Sequence, residues 1–121
     1  MSNLAIALDP LPTNLDVTVT VDQSGAVTTQ PYQLVVPPNF DGTITWTLTG
    51  ASFLNPGITF GGQTPPSFEV SSTSTTRVRR WGNTIPGLQP INFFYTLHLI
   101  TPGGEIINED PTVENQPPTG P

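Results

Sequence analysis

The sequence predicts an all-β protein, a single immunoglobulin-like antiparallel β-sandwich of about seven to nine short strands. Hydrophobic and polar residues alternate with a period of two in several segments, and no window keeps the helical spacing of apolar residues for three turns. Fifteen prolines and eleven glycines interrupt the 121-residue chain, and proline is excluded from helix interiors. Threonine and valine, which are common here, are stiff at χ1 and suit a pleated strand. A small β-barrel is the alternative fold.

Residues 15–22, 43–49 and 91–99 show the clearest strand patterns. In the first segment every second residue from Leu15 to Val21 is apolar, and the residues between them are aspartate or threonine. In the second, apolar residues alternate with threonines. In the third, one face is apolar from Ile91 to Leu99. This pattern is typical of strands that bury one face in a two-layer protein.

Weaker patterns predict the remaining strands, at residues 32–36, 52–60, 68–72, 77–81, 105–108 and, as a further candidate, 4–8. Turn-forming pairs such as Asp41-Gly42 and Pro86-Gly87 separate them. We expect one sandwich domain over residues 1–110. A proline-rich C-terminal tail, residues 111–121, is typical by composition of extended or disordered chain, and we expect it to dock on the same sandwich or on a neighbouring copy.

Composition and charge exclude several classes of function. Nine acidic residues face three arginines and no lysine, for a net charge of −6, so the basic face of a nucleic-acid-binding protein is missing. No apolar run approaches the roughly 18–20 residues that span a bilayer. The chain has no cysteine, which excludes disulfides and cysteine-ligated zinc. The first residues do not resemble a signal peptide, so the default expectation is a cytoplasmic protein, with leaderless export as the alternative.

Metal and cofactor sites are not indicated. His98 is the only histidine, so a transition-metal site would need carboxylates for most of its ligands. Calcium is the alternative, since four aspartates could meet at one end of a sandwich, at positions 9, 16, 22 and 41. Their spacing matches no calcium loop. His98 is also the one candidate base for a serine or threonine nucleophile, but no Gly-x-Ser-x-Gly elbow is present. We therefore predict no metal, no cofactor and no identifiable small-molecule ligand.

The segment Arg77-Val-Arg-Arg-Trp81 carries every arginine of the chain. The densest acidic run lies later, at Glu105, Glu109, Asp110 and Glu114. Three interpretations stay open: an ion-pair network within the chain, a basic patch that meets the acidic run of a neighbouring copy, or a solvated edge strand whose charges discourage strand pairing. For the second interpretation, the candidate assembly residues are Arg77, Arg79, Arg80 and Trp81.

The bond between Asp110 and Pro111 is chemically weak. The aspartate carboxyl can attack its own backbone carbonyl to form a five-membered ring, and the proline nitrogen is a comparatively good leaving group once it is protonated. A fold that holds this geometry would gain a large effective molarity. Glu105, Glu109 and Glu114 are expected to raise the pKa of the aspartate by repulsion. Most Asp-Pro pairs are ordinary turn formers, as Asp9-Pro10 in the same chain is expected to be.

The closing residues resemble the DP-EP family of small bacterial β-sandwich proteins, a family also described as a domain of unknown function. The resemblance lies in Phe94-Tyr-Thr-Leu-His-Leu, Thr101-Pro-Gly-Gly-Glu and Asp110-Pro-Thr-Val-Glu-Asn-Gln-Pro-Pro118. It implies a sandwich that cuts itself after Asp110, keeps the severed piece docked and self-assembles. The family also joins a lysine of the penultimate strand to the cut aspartate. This chain has no lysine, and the matching strand offers Phe94 and His98 instead.

Three functions from different classes follow. The first is a self-processing, self-associating sandwich whose enzymatic activity is at most a single-turnover, aspartic-endopeptidase-like cut, with Asp110, Pro111, Glu109, Glu114 and His98 as candidate catalytic residues. The second is a purely structural subunit that assembles with itself without chemistry. The third is a non-catalytic immunoglobulin-like binding module that uses an exposed aromatic residue, with Trp46, Trp81 and Phe94 as candidates. In the first two functions the expected partner is another copy of the chain.

Overall fold

A computed structural model describes residues 11–62, 65, 67–84 and 87–118. These residues form ten strands in two packed sheets, which confirms the predicted all-β sandwich. In chain order the strands are β1 (Asn14–Val21), β2 (Val27–Gln30), β3 (Gln33–Val36), β4 (Asp41–Thr49), β5 (Ser52–Gly61), β6 (Ser67–Ser72), β7 (Thr76–Gly82), β8 (Ile91–Ile100), β9 (Ile106–Glu109) and β10 (Thr112–Asn115). The first sheet has the order β2-β1-β4-β7-β6, and the second has the order β3-β10-β8-β5, with β9 paired to β8.

Two of these strands were not expected from the sequence. Strand β2 reads Val-Thr-Thr-Gln, and β10 lies in the proline-rich tail. Neither has enough apolar residues to show a period of two. Both exist because a neighbouring strand pairs with them, β1 in the first case, and β3 and β8 in the second. The candidate strand at residues 4–8 lies outside the described residues.

The sandwich is not purely antiparallel. Strands β1 and β4 are parallel, and so are β3 and β10, whereas the other described pairs are antiparallel. Parallel neighbours need a crossover connection. Between β1 and β4 the chain supplies it by adding β2 to the first sheet and then crossing to the second sheet to form β3.

The core lies between the sheets and contains both tryptophans. Trp46, Trp81 and Tyr95 are each at most 1% exposed. The indole Nε1 of Trp46 donates to the Tyr95 hydroxyl at 3.0 Å, and that of Trp81 donates to Asn115 Oδ1 at 2.8 Å. A buried indole N–H needs such a partner, so the tail strand β10 supplies a polar group that the core requires. The described residues form no helix that could cross a membrane.

The burial of Tyr95 predicts a loss of stability in alkaline solution. Burial raises the pKa of its phenol, and the hydrogen bond from Trp46 only partly offsets this. Below about pH 10 the phenol is protonated in both the folded and the unfolded chain, so it causes no pH dependence. Above about pH 10 only the unfolded chain ionises, and the free energy of unfolding should fall by about 1.4 kcal/mol per pH unit.

Denaturant unfolding between about pH 9 and about pH 11.5 measures this slope. The chain has two tyrosines, so Tyr32→Phe is the matched control and should keep the slope, whereas Tyr95→Phe should lose it. An equal slope in both variants would contradict the assignment to Tyr95.

Candidate functional site

The Asp110–Pro111 bond lies in the middle of an otherwise continuous strand. Strands β9 and β10 run along the same edge of β8 in one register, with Glu109 opposite Leu97 and Thr112 opposite Phe94. The ladder is interrupted between them because proline has no N–H to donate. The Pro111 carbonyl still accepts a hydrogen bond from the Tyr95 N–H at 3.2 Å. The bond is therefore held in an extended conformation by β8.

Two hydroxyl groups contact Asp110, one on each of its reactive groups. The Thr96 hydroxyl donates to carboxylate Oδ1 at 2.7 Å, and the Tyr32 hydroxyl donates to the backbone carbonyl oxygen at 2.9 Å. Thr96 comes from β8, which lies beside Asp110, and Tyr32 immediately precedes β3. Asp110 itself is exposed, so water can reach the carboxyl.

The residues that follow the bond are held firmly. Pro111 is buried, and β10 pairs with β3 on one side and β8 on the other. The Thr112 N–H donates to the Tyr32 carbonyl at 3.1 Å, and the Gln116 N–H donates to the Val36 carbonyl at 2.9 Å. A chain cut after Asp110 would keep all these contacts.

The other predicted catalytic residues make separate contacts. Glu109 lies on the opposite face of β9 from Asp110, on the face where Ile107 packs against the core. Glu114 accepts hydrogen bonds from the Gln33 and Gln116 side-chain amides. The structure thus brings Thr96 and Tyr32, rather than these acids, to the Asp110–Pro111 bond.

His98 lies on the outer face of β8 between two polar neighbours. Its Nδ1 is 3.1 Å from Asn108 Oδ1, and its Nε2 is 2.7 Å from Thr59 Oγ1. Because Asn108 Oδ1 can only accept, we assign the proton to Nδ1, and Nε2 then accepts from the threonine hydroxyl. Neither nitrogen contacts Asp110.

The arginine segment is not an exposed patch, which corrects the assembly prediction for Arg77 and Trp81. Trp81 is in the core, and Arg77 is 6% exposed. The guanidinium of Arg77 donates to four backbone carbonyls, those of Leu54, Pro56, Thr73 and Thr76. It also lies 4.7 Å over the Phe53 ring and 3.5 Å from the Glu69 carboxylate. Its role is to join β7 to the irregular part of β5.

The other two arginines are also engaged within the chain. Arg79 donates to Ser67 Oγ at 2.9 Å and lies over the Phe60 ring, and burial lowers the pKa of its guanidinium. Arg80 is the more exposed one and pairs with Asp41 at 2.6 Å. The partners of the arginines are thus Asp41 and Glu69, not the acidic run after residue 104. The edge-strand interpretation is wrong as well, because β7 lies between β4 and β6.

The three aromatic residues predicted as a binding platform differ in exposure. Trp46 and Trp81 are buried and cannot form a binding platform, whereas Phe94 is 62% exposed on the outer face of the second sheet.

Among the described residues no acidic or histidine cluster could hold a metal ion. Asp22 already accepts hydrogen bonds from Ser24 and Ala26, and these lower its pKa. Asp9 lies outside the described residues.

Sequence reasoning missed Thr96 and Tyr32 as site residues. Thr96 is one of many threonines on alternating strands, and only the register of the β8–β9 hairpin places it beside Asp110. Tyr32 is 78 positions from Asp110, and nothing near it suggests chemistry. A pairing of β3 with β10 was the missing information.

Comparison with protein families and with curated proteins does not assign this chain to a family. The sequence matches no protein-family model, and no curated protein matches it either.

Proposed function

We propose that this protein cleaves its own Asp110–Pro111 bond in a single turnover and associates with other copies of itself. The observation that carries the proposal is the pair of hydroxyl contacts on Asp110. Thr96 holds carboxylate Oδ1, and Tyr32 donates to the carbonyl oxygen of the bond that would break. Oδ2 has no hydrogen bond to the described residues, so it is available for attack.

The reaction needs no other residue as nucleophile. The protonated Asp110 carboxyl adds to its own backbone carbonyl carbon, and negative charge grows on the oxygen that Tyr32 contacts. The C–N bond then breaks, and the carboxyl proton passes to the Pro111 nitrogen, which leaves as a secondary amine. The five-membered cyclic anhydride that remains on Asp110 is opened by water to give two carboxyl groups. The fold contributes orientation and a hydrogen-bond donor.

The resemblance to the DP-EP family supports the same reaction. In this proposal Asp110 and Pro111 keep the roles that the resemblance implies, and Thr96 and Tyr32 join them. Glu109, Glu114 and His98 are given no role, because their contacts lie elsewhere.

Incubating the folded protein at mildly acidic pH should convert it into fragments 1–110 and 111–121, and Asp110→Asn should abolish this cut. The amide can neither add to the carbonyl in the same way nor deliver a carboxyl proton. The rate should rise as the pH falls, because the protonated carboxyl is the reactive form. Intact mass spectrometry over a long incubation measures it.

Asp9-Pro10 is the internal control, since it is the same dipeptide at another position in the chain. Unfolding the chain in neutral denaturant should also stop the reaction. Equal scission at both Asp-Pro bonds would contradict catalysis by the fold. No scission at either bond would leave a purely structural self-associating subunit.

Self-association is the second part of the proposal, and the resemblance and the sheet edges support it. Within the described residues the edge strands are β2 and β6 in the first sheet and β3, β5 and β9 in the second. Edge strands carry backbone groups that can pair with another chain. We expect light scattering to show particles larger than one chain as protein concentration rises. A mass of one chain at every concentration would contradict this part alone.

A further inference from the structure

Strand β10 is an inner strand that no hairpin joins directly to either of its neighbours in the sheet. Residues Thr112 to Asn115 each pair with a residue of β3 in parallel register, and each pairs with a residue of β8 in antiparallel register. Its one connection to the preceding chain is the Asp110–Pro111 bond. Strand β9 stays paired with β8 on the other side of that bond.

The space between β3 and β8, which we call the β10 slot, recognises particular side chains. Val113 is fully buried, and Asn115 is 2% exposed. Asn115 Oδ1 accepts from the buried Trp81 indole at 2.8 Å. Just beyond the strand, the Asn83 side-chain amide donates to the Gln116 carbonyl at 2.9 Å. The slot therefore fits an extended segment with a small apolar residue, and an asparagine two positions later.

Cleavage of the Asp110–Pro111 bond changes how β10 is held in the slot. Before the cut, β10 is tethered beside its slot and has a high effective concentration there. After the cut, residues 111–121 are a peptide held by non-covalent contacts alone. Its occupancy then depends on mass action, and the same segment of another molecule competes for the slot on equal terms.

We propose that the β10 slot of a cut molecule takes up the C-terminal segment of a second copy. The ligand is residues 111–121 of the same sequence, inserted parallel to β3 and antiparallel to β8. The inference deepens the proposed function by naming a partner and a surface for self-association. It rests on that function only for the origin of the cut.

The experiment uses a fluorescent synthetic peptide of residues 111–121 and two kinds of cut protein. One is wild-type protein cut by its own chemistry. The other is the full chain with a recognition sequence for a site-specific protease inserted after Asp110 and cut after folding. Fluorescence anisotropy should rise when the peptide is mixed with either cut protein. It should not rise with the uncut chain, whose slot is filled by its own β10.

Two variant peptides test whether binding uses the slot. Val113→Ala removes a fully buried side chain and should weaken capture roughly 10-fold or more. Thr112→Ala changes the neighbouring, outward-facing side chain and should alter capture by less than about 3-fold. If the protease-cut protein unfolds, near-ultraviolet circular dichroism of its buried tryptophans gives the readout instead. The peptide should then restore the folded signal, and the Val113→Ala peptide should not.

The outcomes separate the two proposals. Capture by protease-cut protein, while the wild type never cuts itself, would refute the proposed self-cleavage and support the slot. A wild type that cuts itself but captures no peptide would refute the slot alone. Equal capture by cut and uncut protein, or equal binding of the Val113→Ala and Thr112→Ala peptides, would also overturn the slot proposal.

Discussion

Replacing Arg77 by methionine is expected to lower the free energy of unfolding by about 3 kcal/mol, because it removes four part-buried hydrogen bonds to backbone carbonyls and the ion pair with Glu69. The guanidinium donates to four backbone carbonyls, from β5 and from the chain at the start of β7. The ladder between β5 and β8 is broken between Phe53 and Ile58, so two of these carbonyls, those of Leu54 and Pro56, depend on Arg77. Methionine fills part of the volume and donates nothing.

Arg80→Met is the matched control on the same strand. Its ion pair with Asp41 is exposed, and exposed pairs contribute at most about 1 kcal/mol. Equilibrium unfolding in urea compares the two variants directly. Similar losses for Arg77→Met and Arg80→Met would contradict the structural role given to Arg77.

Tyr32→Phe is expected to slow cleavage of the Asp110–Pro111 bond about 100-fold, which is the cost of removing one oxyanion donor in acyl-transfer enzymes. The substitution keeps the ring and deletes the hydroxyl that lies 2.9 Å from the Asp110 carbonyl oxygen. The donor is worth most when charge develops on that oxygen, so its loss affects the transition state more than the resting protein. Time courses of intact mass at a fixed acidic pH measure the rate.

Thr59→Val is the control, since it removes an outer-face hydroxyl that contacts His98 rather than Asp110. It should leave the rate unchanged. A Tyr32→Phe protein that is folded and cleaves at the wild-type rate would remove Tyr32 from the mechanism while leaving Asp110 in place.

The clearest strands could be predicted because one face of each is buried. Strands β1, β4 and β8 carry an apolar residue at every second position, and the buried residues in the structure are the ones that this pattern selects. Strands β2 and β10 have few apolar residues, so the pattern is too short to recognise. The parallel pairing of β1 with β4 was also invisible, since a period of two does not reveal which strand lies alongside.

The sequence by itself determined that the chain is an all-β sandwich and that Asp110–Pro111 is one of its two chemically weakest bonds, because both depend on residue type and local order. Only the tertiary structure decided which groups contact that bond. Thr96 reaches Asp110 through the hairpin register, where a slip of one residue would turn every side chain to the other face. Tyr32 reaches it through the pairing of β3 with β10.

The same difference between residue type and tertiary packing explains why Arg77 is buried. Composition alone favoured an exposed basic segment, because arginine is seldom fully buried. The irregular stretch of β5 leaves the carbonyls of Leu54 and Pro56 without a partner on β8. Gly57 lets the guanidinium reach them, since a Cβ at this position would lie 2.7 Å from Arg77 Nε. A buried guanidinium is stable where such acceptors surround it, and these acceptors come together only when the two sheets pack.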